Sequence, residues 1–127
     1  MHRREFMKLA TAATLCGATA NLASAATATA EPAKRYKCRI TVLRKLFHAD
    51  LYDQHPYGRR AACGRFEEGQ VFMTESPWDP PPGFCTWAWA DLRAIIHKIH
   101  AGDPTVMISC CTDGLRPVLF KFERIEA

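Results

Sequence analysis

The sequence predicts an α+β fold: one small domain in ββαββ order, with one helix packed on a small, mostly antiparallel sheet. Three observations carry that expectation. Apolar and polar residues alternate around Cys38, Ile40 and Val42 and again around Val106, Ile108 and Cys110, the period of a strand. Between these runs Trp89, Leu92, Ile96 and Ile99 recur at helical spacing. A proline-rich stretch, residues 76–83, separates the helix from the apolar run before it, since each proline lacks an amide donor and restricts its predecessor.

The elements follow in order. Residues 36–43 form the first strand, with Cys38, Ile40 and Val42 on one face. Residues 48–60 are polar and turn-forming, with one helical turn expected near Asp50 to Asp53. Residues 66–74 hold a second strand, centred on Val71, Phe72 and Met73 and entered through Gly69 and Gln70. The helix is expected over residues 86–100, with Gly102 as its stop and Pro104 beyond it. Residues 106–111 form a third strand, Thr112, Asp113 and Gly114 turn the chain, and residues 118–125 return as a fourth.

Ahead of this domain lies a segment of a different kind. His2-Arg3-Arg4-Glu5-Phe6-Met7-Lys8 matches the twin-arginine export pattern, and a mildly apolar stretch rich in Ala and Thr runs on to Ala23-Ser24-Ala25, a small-x-small cleavage site. Residues 1–25 are therefore read as a twin-arginine signal peptide, 26–35 as a flexible leader and 36–127 as the working domain. The expected partners are the twin-arginine translocase and signal peptidase, and the expected location is periplasmic or secreted. The apolar run falls short of the roughly 20 residues a bilayer span needs, so no stable membrane span is expected after cleavage.

Cleavage at Ala25 leaves about one hundred residues, enough for one core and too few for two. Of 17 basic and 13 acidic residues, 14 and 12 remain, a net charge of about +2 that gives no indication of nucleic acid binding. Lys34, Arg35, Lys37 and Arg39 cluster without interleaved aromatics and read as a solvated edge.

Cysteine carries the chemical interest. Five remain in the mature chain, Cys38, Cys63, Cys85, Cys110 and Cys111, so at least one thiol stays unpaired in a monomer. Cys38 alternates with Ile40 and Val42 and reads as a small buried hydrophobe. Cys63, Cys85 and the Cys110-Cys111 pair fall at loop ends, where ligands are well placed. Cys85 precedes the helix, at the positive end of its dipole, which favours thiolate; it is the candidate catalytic thiol. No C-x-x-C pair occurs, so any shared site has to be assembled by folding. Adjacent strand residues face opposite ways, so one of Cys110 and Cys111 is expected to face the core and the other to be available. His97 and His100, three apart, offer a shared metal in principle but are read as part of a solvated helix face beside Arg93; Trp78 and Trp87 either wall a pocket or pack under the proline connector, with packing the default.

Three segments carry a resemblance: Ala62-Cys63-Gly64-Arg65-Phe66-Glu67-Glu68-Gly69-Gln70, Gly83-Phe84-Cys85-Thr86-Trp87-Ala88-Trp89, and Cys110-Cys111-Thr112-Asp113-Gly114-Leu115-Arg116-Pro117-Val118. Through them the chain resembles a small, uncharacterised prokaryotic family of cysteine-containing proteins over roughly residues 36–126. The shared positions are Cys63, Cys85, Cys111, Asp113 and Arg116. The resemblance marks residues to test and implies no reaction. The export segment departs from many shorter members.

Three functions stand open on the sequence. The first is a metal- or cofactor-binding domain, with Cys63, Cys85 and Cys111 or Cys110 as ligands to zinc or iron and Asp113 and Arg116 as supporting or anion-contacting groups. The second is a thiol redox protein or enzyme in which Cys85 attacks and another cysteine resolves. The third is a non-catalytic interaction or structural domain with buried or disulfide-bonded cysteines.

Overall fold

The computed structural model describes residues 31–127. The expected signal peptide and the first residues of the leader lie outside them. Residues 31–35 are exposed and carry no regular secondary structure. The elements are β1 (Tyr36–Lys45), α1 (Ala49–Gln54), β2 (Val71–Thr74), α2 (Thr86–Ala101), β3 (Val106–Cys110) and β4 (Val118–Glu126).

The alternation in β1 does what period two requires: Cys38, Ile40 and Val42 are fully buried while the residues between them face outward. Ile40 pairs with Phe122 of β4 and Phe72 of β2, Val42 with Phe120 of β4, and Cys38 with Thr74 of β2 and Arg124 of β4. All strand pairings are antiparallel, and the sheet runs β2-β1-β4-β3. A bulge between Val42 and Arg44 shifts the β1–β4 register at the end of the sheet nearest the loops.

Helix α2 crosses one face of this sheet. Its buried stripe is Ala88, Trp89, Leu92, Ile96 and Ile99, set against Cys38, Ile40, Val42, Phe120 and Phe122. Each large side chain so buried contributes on the order of 1.5–3 kcal/mol, and this stripe is what holds the helix to the sheet. The helix ends at Gly102, whose φ of +104° suits glycine. A side chain there would also strike the Tyr36 ring, with a Cβ only 2.8 Å from Cε2.

The α+β class stands, with one refinement of order. The expected helical turn is a short helix, α1, so the chain reads βαβαββ; α1 buries no residue and adds nothing to the core. The second strand begins at Val71, entered through the expected turn: Glu67 to Gln70 closes it, with the Gln70 amide donating to the Glu67 carbonyl at 3.1 Å. Phe66 leaves the ladder to fill the core. Three of the four basic-cluster residues are paired at the surface, Lys34 with Glu126, Lys37 with Glu75 and Arg39 with Glu123, but Lys37 and Arg39 stand on β1, an interior strand of the sheet and not an edge.

One expectation on the helix is corrected. His100 does not lie on a solvated face: it is half-buried, with Nε2 2.7 Å from the buried Thr74 hydroxyl. Burial lowers its pKa, because the imidazolium is poorly solvated there. His97 meets the edge of Trp78, with ring centroids 4.4 Å apart.

Candidate functional site: a cysteine-lined cleft

Each cysteine motif is positioned by a local device. Before α2, the Phe84 amide donates to the Pro81 carbonyl at 3.1 Å, with Pro82 and Gly83 between them and Gly83 at φ +79°. That is a type II turn, with proline and glycine in the positions it favours. It delivers Cys85 as the N-cap of α2, and the Cys85 side chain makes no capping hydrogen bond. The Cys63 sulfur accepts a 3.5 Å hydrogen bond from the Arg65 amide. Cys111 follows β3; its amide donates to the Val118 carbonyl at 3.2 Å, and its sulfur accepts from the Val118 amide at 3.4 Å.

Aromatic contacts dock these segments on one another. Phe66 follows the Cys63 loop and Phe84 precedes Cys85; their rings meet with centroids 5.2 Å apart, and both pack on Phe120 of β4. The third segment is tied to α2 by polar contacts. Asp91 accepts from both the amide and the hydroxyl of Thr112, at 2.8 and 2.9 Å, while the Trp87 indole donates to the Thr112 hydroxyl at 2.8 Å. Asp113 Oδ1 accepts from the amides of Leu115 and Arg116, closing the turn, and Oδ2 lies 3.4 Å from Arg116 Nε.

The result is one cavity of about 240 Å³ that Cys63, Cys85, Cys111, Asp113 and Arg116 all line. Arg65 and Trp87 line it as well. The three thiols are partly buried against the core. A water molecule takes up roughly 30 Å³ of liquid, so the space exceeds what a single ion fills; drug-sized ligands take roughly 300 Å³ or more, so it suits a small or partly inserted molecule. Two arginines, Arg65 and Arg116, and one aspartate, Asp113, are the charged residues that line it. Among the described residues no group of three or more His, Cys, Asp or Glu stands at metal-holding spacing.

The remaining cysteines lie elsewhere. Cys110 is exposed, and its pairing with Leu119 sets it on the sheet face away from α2. Cys38 is fully buried under α2, and desolvation pushes its thiol up to about 12. Of the adjacent pair, therefore, Cys111 turns inward and Cys110 outward. All five described cysteines are free thiols.

For Trp87 the structure favours the pocket wall over the default of packing. It does not pack under the prolines; it is 64% exposed, lines the cleft and donates to Thr112. Trp78 is likewise 66% exposed. Asp91 and Arg65 were not singled out, although Trp87 and Asp91 stand four apart on α2, the spacing that places two side chains on one helix face. Cys63, Cys85 and Cys111, with Asp113 and Arg116, are brought together; Cys110 is not.

No protein-family model, no curated protein and no solved structure matches this chain.

Proposed function

We propose that the domain performs thiol–disulfide chemistry in this cleft, with Cys85 as the attacking thiol and Cys63 or Cys111 as the resolving one. The observation that carries the reading is the lining of one small cavity by three free thiols from three separate segments. Cys85 sits at the N-terminus of a 16-residue helix and makes no capping bond, while the sulfurs of Cys63 and Cys111 each accept from a main-chain amide. In the first step the Cys85 thiolate attacks one sulfur of a disulfide RSSR, forming a mixed disulfide and expelling RS⁻, which takes up a proton. In the second, Cys63 or Cys111 attacks the Cys85 sulfur and expels the other RS⁻. The net change is two protein thiols and RSSR to one protein disulfide and two RSH.

The test is oxidation of the reduced protein with a neutral small disulfide, followed by disulfide mapping. A bridge from Cys85 to Cys63 or Cys111, absent in Cys85→Ser, supports the reading. Oxidation confined to Cys110 overturns it.

A second reading, capture of zinc or iron by the same thiolates, is favoured by the presence of Asp113 beside the three sulfurs in the cavity wall. It requires the loops to close from their present spacing. Metal analysis of protein purified without chelator, beside Cys-to-Ser variants at 63, 85 and 111, tests it; metal-free protein with unchanged stability in every variant excludes it.

The proposed setting is outside the cytoplasm, after twin-arginine export. It rests on Arg3, Arg4, Phe6 and Lys8 and the Ala23-Ser24-Ala25 site. Replacing Arg3 and Arg4 together by lysine is expected to leave the precursor inside the cell; unchanged export would contradict it.

A further inference from the structure

We propose that two copies of this chain pair through the free edge of β3, antiparallel and about a two-fold axis at Ile108, so that their sheets join into one. β3 ends the sheet, and among the described residues no strand lies on its other side. The Cys111 amide donates to the Val118 carbonyl and the Arg124 amide to the Thr105 carbonyl, so residues 105 and 111 turn their polar groups towards β4. That direction alternates along a strand, so Val106, Ile108 and Cys110 each turn an amide and a carbonyl to the free side. Their side chains lie on the sheet face away from α2, level with Glu123, Lys121 and Leu119 of β4.

This edge lacks the usual guards. Edge strands are commonly protected by charge, proline or a bulge; Val106 to Cys110 contains neither charge nor proline, and its ladder with β4 runs in unbroken register. The charges of that face stand on the interior strands instead, where Glu123 meets Arg39 and Lys121. Val106 and Ile108 are 53% and 58% exposed, an apolar strip beside an ion-paired centre.

A second copy fits the strip by symmetry. With Ile108 opposite Ile108 of the second copy, Val106 falls opposite its Cys110, and every outward amide and carbonyl of both strands has a partner. Every other register leaves at least one of the three residues unpaired. Charge favours the same occupant: the two strands bring no charge to the seam, and Lys121 of each copy stands three strand spacings from its counterpart, roughly 14 Å, beyond the roughly 8 Å screening length at physiological salt. The other edge strand, β2, is also uncharged but shorter, and it turns only Val71 and Met73 to its free side. Pairing β3 with β2 would moreover propagate head to tail, whereas the two-fold closes. A seam of five residues is small beside the roughly 1,200–2,000 Å² that stable complexes bury. The dimer is therefore reversible, and in dilute protein Cys110 stays open.

Sedimentation equilibrium of the reduced full chain between about 1 μM and about 1 mM is expected to show monomer passing to dimer. Ile108→Lys sets two ammonium groups opposite one another and is expected to weaken association at least about tenfold. Ile108→Pro removes a donor from the free side and none from the β4 ladder, so it is expected to abolish the dimer while the circular dichroism of the fold is kept. A bridge reads the register. In Val106→Cys, mild oxidation of the dimer is expected to join the introduced thiol to Cys110 of the second copy. Within one chain these positions stand roughly 14 Å apart along the strand, beyond the roughly 7 Å between Cα atoms that a disulfide spans.

Monomer throughout the concentration range overturns the proposal and leaves the edge to a strand of another protein. A dimer that both Ile108 variants leave unchanged overturns it by placing the contact elsewhere. Bridging of Cys110 in Val71→Cys rather than in Val106→Cys assigns β2 as the partner and overturns the two-fold.

Discussion

The rings of Phe66 and Phe84 meet with centroids 5.2 Å apart, and through that contact the loop carrying Cys63 is docked on the turn carrying Cys85. Both rings are buried and both reach Phe120, so the cleft is mounted on the core of the sheet. Phe66→Ala is therefore expected to cost about 3–5 kcal/mol, a large share of the roughly 5–15 kcal/mol that holds a domain folded. Guanidinium unfolding measures it. Phe66→Leu is expected to cost much less, and a Phe66→Ala midpoint equal to wild type would show that the loop is not anchored there.

The far end of the helix depends on Arg124. Its guanidinium donates to the Gly102 carbonyl at 2.6 Å and covers the Tyr36 ring at 4.6 Å, so it closes α2 and ties it to β1. Arg124→Ala is expected to lose about 1–3 kcal/mol from the charge-assisted bond and the cation–π contact together. Arg124→Lys recovers only part, because an ammonium does not stack as a guanidinium does. Gly102→Ala is expected to destabilise as well, through its positive φ and the collision with Tyr36. Thermal unfolding of the three variants checks the order.

Stability is expected to fall on acidification in two windows. Burial depresses the His100 pKa in the folded protein, so below its ordinary value of 6.5 the unfolded chain takes up a proton that the folded one resists. That contribution is complete above pH 6.5 and is lost as pH falls through the depressed folded value. Glu123 behaves alike at lower pH: hydrogen bonding to Arg39, with Lys121 beside it, holds its pKa below the ordinary 4.5, so its contribution is lost as pH falls below that value. His100→Gln is expected to flatten the first window and leave the second. A wild-type stability that rises between pH 7 and 5.5 would contradict the assignment.

Thiol accessibility should follow position. Cys110 is exposed and Cys38 is sealed beneath α2 with its thiol pushed up to about 12. Site-resolved alkylation at neutral pH is expected to modify Cys110 and Cys85 readily, the first through exposure and the second through its place at the helix N-terminus, and Cys38 only after unfolding, with Cys63 and Cys111 between them. Early modification of Cys38 would mean that the helix does not close over the sheet.

Much of this architecture was legible in the sequence, because period and punctuation carry strong signals. The stripe Trp89, Leu92, Ile96 and Ile99 locates α2, and Gly102 ends it. Cys38, Ile40 and Val42 face the core as their alternation requires. β3 shows where alternation stops informing: it is an edge strand, and Val106, Met107 and Ile108 are all exposed, so its apolar pattern does not report burial. The convergence of the three cysteine loops was not legible either. It depends on ring contacts of Phe66 with Phe84 and on the Asp91–Thr112 bonds, pairings at long separation that no local spacing encodes. The sequence leaves Trp87 between packing and a pocket wall for a related reason: an aromatic normally packs, and only the partner Thr112, brought up by folding, gives it an exposed role.

The central claim is that Cys63, Cys85 and Cys111 share one cleft that excludes Cys110. Titration with phenylarsine oxide tests it most directly, because a trivalent arsenical is held firmly only where two thiols stand close together. The account predicts tight one-to-one capture by the native reduced protein, retained in Cys110→Ser and in Cys38→Ala and weakened in Cys85→Ser. Capture lost in Cys110→Ser, or unaffected by substitution at 63, 85 and 111, would contradict it.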